Sequence, residues 1–108
     1  MDYEAIVVIV ERGKANAVVK KVTEAGAHGA TIAYGRGSGE QVFSFFRSLQ
    51  VEPSKEIILI ISPREKLQTL FDAVVDAAKV KEKGKGIAFT VPISNLTGIS
   101  TPDGEKHA

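Results

Sequence analysis

Residues 57–61 read Ile57-Ile58-Leu59-Ile60-Ile61, a run of branched aliphatic side chains with no polar residue between them. Such a run suits a strand covered on much of both faces. The chain on either side of it indicates what does the covering. Downstream, Ser62-Pro63 predicts a helix start, with Ser62 as N-cap, Pro63 at the first helical position and Glu65 completing the capping-box spacing. That helix is expected to run to about Val80, its apolar stripe made of Leu67, Leu70, Phe71, Val74, Val75 and Ala78. Upstream, Tyr3–Val10 (YEAIVVIV) is a second nearly continuous apolar run, broken by Glu11-Arg12-Gly13. Lys14–Ala25 then places Val18, Val19, Val22 and Ala25 at helical spacing, and Gly26 stands where a left-handed residue closes a helix. Ala30–Tyr34 (ATIAY) reads as a short strand. Ile87–Ile93 reads as a fourth, weakened near its end by Pro92.

Between the second strand and Ile57, Gly35-Arg36-Gly37-Ser38-Gly39 is a loop by composition. Glu40–Leu49 follows as a short amphipathic helix with Val42, Phe45, Phe46 and Leu49 on one stripe. The order strand–helix–strand–(short helix)–strand–helix–strand predicts an α+β fold, the ferredoxin-like double βαβ sandwich. In it a four-stranded antiparallel sheet carries both main helices on one face. Strands one and three are apolar on both faces, so something else must bury the other face, and self-association is expected. Residues 1–101 form a single domain in this reading, and the polar residues 102–108 a flexible tail.

Composition removes many chemistries. The chain has 108 residues, 14 Lys+Arg against 13 Asp+Glu, no Cys and two His. Near-neutral charge gives no general pull toward nucleic acid. The lack of Cys excludes disulfides, Cys-ligated zinc and Cys nucleophiles, and two His leave little for a His-based metal site. Met1-Asp2-Tyr3-Glu4 lacks the basic start of a signal peptide, and no apolar run approaches the ~20 residues that cross a bilayer. The reading is a cytoplasmic chain without membrane insertion.

Five features could carry chemistry. In Gly26–Gly39, closely spaced glycines and Arg36 could hold an anion at the start of the Glu40–Leu49 helix, although neither a Walker A loop nor a Rossmann fingerprint is present. Lys79–Gly86 (KVKEKGKG) could hold a phosphate between ammonium groups and backbone amides, or be a solvated turn. Lys85, between two glycines, is the residue a plain turn explains least. Arg36 and the Lys79–Lys85 run concentrate positive charge locally and are expected to meet at one cleft. His28 reads as a turn residue without a second ligand nearby. Asp72 and Asp76, at i and i+4, read as a solvated helix face, and no nucleophile, base and orienter stand together, so no enzyme is expected. Phe43, Phe45 and Phe46, flanked by Arg47, form core, a lid or a docking face.

Two segments, GAHGATIAYGRGSG (Gly26–Gly39) and GKGIAFTVPISNLTGIST (Gly84–Thr101), resemble the nitrogen-regulatory P-II signal-transduction proteins, closest to short-loop, divergent members. The likeness in order and spacing runs from about Tyr3 to Thr101. It implies a homotrimer that binds adenine nucleotides (AMP, ADP or ATP) in clefts between subunits, requires no cofactor, and regulates a membrane transporter or a metabolic enzyme. Carried onto this chain, it implies a ligand set of Thr31 beside the adenine, Gly35, Arg36 and Gly37 at the base of the T-loop, Lys83, Gly84, Lys85 and Gly86 in the B-loop, and Ser100, with Gly98 and Thr101, in the C-loop. Ser38, Gly39, Phe43, Phe46 and Arg47 would form the docking segment. The chain departs from the pattern at Val80 and Lys81, where a Thr-Gly pair is usual, at Ile87 in place of Lys, and at Gly98 and Ser100 in place of Arg. Three cationic phosphate contacts, each worth ~1.5–3 kcal/mol, are thereby lost, which predicts weak triphosphate binding. Tyr34 does not match the family's modified tyrosine, so uridylylation is not expected. A metal-binding trimer of the divalent-cation-tolerance type is the alternative, as is a structural trimer with a degenerate nucleotide site.

Overall fold

A computed structural model describes residues 2–36, 54–82, 85–100 and 106–107. Strand β1 (Tyr3–Glu11) is followed by helix α1 (Ala15–Glu24), β2 (Thr31–Arg36), β3 (Ser54–Pro63), a 3-10 turn (Arg64–Lys66), α2 (Leu67–Ala78), β4 (Gly86–Pro92) and two short strands, β5 (Ile99–Ser100) and β6 (Lys106–His107). The main sheet has the order β2-β3-β1-β4 with every pair antiparallel. This is the ferredoxin-like double βαβ arrangement expected from the order of elements. The short helix expected over Glu40–Leu49 lies outside the described residues.

Strand alternation divides the sheet into two faces. Ile6, Val8 and Val10 of β1 stand opposite Ile60, Ile58 and Glu56 of β3 on the face that the helices cover. There the aliphatic side chains among them join Val18 and Val22 of α1 and Leu70 and Val74 of α2 in one core. Each of these aliphatic side chains stabilises the fold by ~1.5–3 kcal/mol through burial. Of the stripes read from the sequence, Val18, Val22, Leu70, Val74 and Ala78 lie in this core and Val19, Ala25, Leu67 and Phe71 pack half-buried at its margin, while Val75 does not join it.

On the other face lie Val7, Ile9, Ile57, Leu59, Ile61, Ile87, Phe89 and Val91. No helix of the described residues covers them, and Leu59, Phe89 and Val91 are 40 %, 38 % and 42 % exposed. Among the described residues, the apolar face deduced from the sequence is therefore left without a covering helix.

Local chemistry explains several boundaries. The backbone N–H of Gly26 donates to Thr23 O and that of Ala27 to Val22 O, the paired bonds of a Schellman closure, with Gly26 at φ +120°. The expected helix start at Ser62 is corrected. Ser62 and Pro63 continue β3, opposite Glu4 and Tyr3, and the Ser62 hydroxyl is buried and donates to Pro63 O at 2.8 Å. Pro63 has ψ 147°, which is extended, and α2 starts at Leu67 without a side-chain cap. The partner strand reaches that far, and its ladder outweighs the local capping preference. Arg64 prolongs the pairing, its N–H bonded to Asp2 O at 2.9 Å and its guanidinium beside Asp2 and Glu4. The second helix also ends at Ala78 rather than about Val80, because Lys79 takes a left-handed conformation (φ 57°, ψ 38°). Of the tail, Lys106–His107 pairs with Ile99–Ser100.

Candidate functional site

The sheet has one end where β1 and β2 finish and β3 and β4 begin. Glu11 stands opposite Lys55, Val10 opposite Gly86, and Arg36 opposite Ser54. Gly35 and Arg36 of the first glycine-bearing segment and Gly86 of the lysine-bearing one stand at this end.

The segments do not meet within one copy. Thr31, Gly35 and Arg36 belong to β2, and Lys85 leads into β4, at opposite edges of the sheet. β3 and β1 stand between them, so three strand spacings of about 4.8 Å separate the two edges by roughly 14 Å. The cleft expected to unite Arg36 with the lysine run thus cannot form from one sheet alone. Gly37, Ser38, Gly39, Phe43, Phe46, Arg47, Lys83 and Gly84 lie outside the described residues. Ser100 sits in the separate two-stranded ladder, eight residues past Pro92, which leaves the main sheet at the end far from Gly86.

Each placed residue has a local account. Thr31 and Gly35 lie on the open face of β2, Thr31 opposite Leu59. A Cβ at Gly35 would come within 3.2 Å of Ile57 Cδ1. Lys85 is exposed, while Gly86 is buried in the ladder opposite Val10. A Cβ on Gly86 would lie 2.9 Å from Ile9 O and 3.2 Å from Val10 Cγ1. Packing of β4 on β1 thus requires glycine there whether or not a ligand binds. His28 is exposed, its Nε2 3.4 Å from Lys66 Nζ. Asp72 accepts from Gln68 Nε2 at 2.8 Å on the solvated side of α2. Among the described residues no three His, Asp or Glu side chains cluster as metal ligands.

A cavity that no sequence motif announces lies at the same end. It holds about 560 Å³ and is lined by Arg12, Gly13, Tyr34, Gly35, Ser54, Lys55 and Glu56. A turn in which Lys14 N–H donates to Glu11 O, with Gly13 at φ +91°, carries Arg12 over the end of β1. Glu56 is on the helix-covered face, between Val10 and Tyr34 in register. Its Oε1 accepts the Ala15 N–H at 2.8 Å, so a residue of β3 caps a helix whose own Lys14 provides no side-chain cap. The only trace of this in the sequence is the Lys55-Glu56 pair directly before the apolar run, and charges at a strand entrance are ordinarily solvated.

The family model for the nitrogen regulatory protein P-II matches residues 3–103. Among curated protein sequences none matches this chain. Among solved structures the chain is similar to the crystal structure of Arabidopsis thaliana PII bound to citrate, with a TM-score of 0.71 and 19% sequence identity. That likeness covers 91% of this chain and 83% of the plant chain, and at such identity it is a likeness of fold.

Proposed function

The chain belongs to the nitrogen regulatory protein P-II family, and from that premise we propose that it acts as a non-enzymatic regulator assembled as a homotrimer. The uncovered sheet faces pack together around the axis. β2 of one copy, with Thr31, Gly35 and Arg36, then lies beside the lysine-bearing approach to β4 of its neighbour. The ligand is a small anion, an adenine nucleotide, held between the two. Ligand binding reorders Gly35–Gly39 and the Phe43–Phe46 stretch, and thereby controls docking on a transporter or an enzyme.

One observation carries this reading. The two halves of the anion-binding sequence pattern stand on opposite edges of a sheet whose uncovered face is apolar. A second copy on that face joins the halves and removes Leu59, Phe89 and Val91 from water in one step. Missing cations at Ile87, Gly98 and Ser100 favour a mononucleotide over a triphosphate.

Light scattering and calorimetric titration test the proposal. The expected mass is about three times the 11.5 kDa of the chain. AMP or ADP should give saturable heat and ATP less, and Arg36→Ala should weaken binding by about tenfold, the loss of one charge-assisted contact. A monomer in solution, or no heat with AMP, ADP, ATP and cyclic AMP, overturns it.

A further inference from the structure

The cavity lined by Arg12, Tyr34 and Glu56 is built within one copy, at the end of the sheet where β1 and β2 finish. Tyr34 alternates away from Thr31 and Gly35, which point to the open face. Of the residues proposed for the cleft between copies, Thr31 and Arg36 do not line the cavity, and Gly35 is the one it shares.

Its walls carry an unusual combination. Arg12 is exposed and has no ion-pair partner among the described residues. Glu56 is 8 % exposed, and Ala15 N–H is its only partner among them. A carboxylate at that depth ordinarily collects more than one donor. Arg12 and Glu56 line the same space without forming an ion pair with each other. Tyr34 adds an aromatic ring that is 76 % exposed, and Ser54 a side-chain hydroxyl. Lys55, on the same wall, is already engaged. The volume, about 560 Å³, lies in the ~300–1,000 Å³ range of small-ligand sites.

We infer that this cavity is a second ligand site and that it takes a small zwitterion, an α-amino acid. The ligand's carboxylate meets the Arg12 fork, and its ammonium meets the open oxygen of Glu56 beside the Tyr34 ring. A plain anion would satisfy Arg12 and face the Glu56 carboxylate; a plain amine would do the reverse. A molecule with both charges satisfies both groups. Because Glu56 also caps α1, and Tyr34 and Arg36 are two residues apart on β2, occupancy would stiffen the strand end from which the 37–53 segment departs.

Calorimetric titration of the full chain with the twenty standard L-amino acids is the test. At least one is expected to bind saturably. Its des-amino and des-carboxy analogues should bind at least about tenfold more weakly, since each leaves one of the two charged groups of the site without its counter-charge. Arg12→Ala and Glu56→Gln should each weaken binding by about tenfold. Gln keeps an acceptor for Ala15 N–H, so the melting temperature of Glu56→Gln should stay near that of the parent and separate a binding loss from unfolding. Leu59→Asp, placed on the open face to break self-association, should leave amino-acid binding unchanged and abolish nucleotide binding. Amino-acid binding without nucleotide binding would remove the between-copy reading and leave this one standing. No saturable heat for any amino acid up to roughly 10 mM overturns the inference. Equal affinity for an analogue, or loss of amino-acid binding in Leu59→Asp, does so as well.

Discussion

Gly86→Ala would place a methyl group 2.9 Å from Ile9 O, a backbone atom that cannot move without breaking the β1–β4 ladder. Overpacking of this kind costs about 1–3 kcal/mol, so a fall in melting temperature of several degrees is expected by thermal denaturation. Gly29→Ala is the control, because nothing lies within 4 Å of its Cβ position. A Gly86→Ala protein as stable as its parent would show that the strand approach is looser than described. The contrast also marks what single residues reveal. Gly26 was legible as a helix closure because the preceding apolar spacing says where the helix ends. Gly86 was legible only as a loop glycine beside lysines. Its neighbour in space is Val10, and nothing in a run of valines announces which glycine lies across from it. Arg12 and Glu56 were obscure for the same reason, being separated by more than forty residues of chain yet lining one cavity.

At the scale of elements, the end of β3 shows which force wins when two local signals compete. Ser62, Pro63 and Glu65 carry a helix-start pattern, but the pairings Glu4↔Ser62 and Tyr3↔Pro63 hold the backbone extended. Each pattern is satisfied by a few hydrogen bonds, and the ladder also buries the apolar side chains beside it. If Ser62 capped α2, replacing it by alanine would cost about 1 kcal/mol and lower helix content. Among the described residues its hydroxyl instead reaches only the adjacent Pro63 carbonyl. Ser62→Ala is therefore expected to be close to neutral, within about 0.5 kcal/mol by chemical denaturation, with unchanged far-ultraviolet dichroism. The helical stripes were read well because a 3.6-residue period is a property of consecutive residues. Strand limits were read less well: β3 starts at Ser54, three residues before the apolar run, because β1 and β2 extend to pair with Lys55 and Glu56.

At the scale of the molecule, the two described helices cover one face, and among the described residues no helix covers the apolar face opposite. Leu59 sits near its middle, between Val7 and Thr31. Burying one such side chain stabilises an interface by ~1.5–3 kcal/mol, and a carboxylate in its place would have to be desolvated without a partner. Leu59→Asp is accordingly expected to shift the mass measured by light scattering to that of one chain while the far-ultraviolet spectrum stays folded. A parent chain already monomeric at micromolar concentration would remove the basis for that expectation. The sequence by itself determined the class of the fold, the two helix faces, the apolar character of both sides of the sheet and the likeness to the P-II family. The first three follow from periodicity along the chain, and the likeness rests on the segments Gly26–Gly39 and Gly84–Thr101. Only the tertiary structure decided that the glycine–arginine and lysine segments stand on opposite edges, that Gly86 answers to β1, and that Arg12, Tyr34 and Glu56 share a cavity. The physical reason is that these facts depend on strand order and register, which arise from pairing between distant segments and leave no period in the sequence.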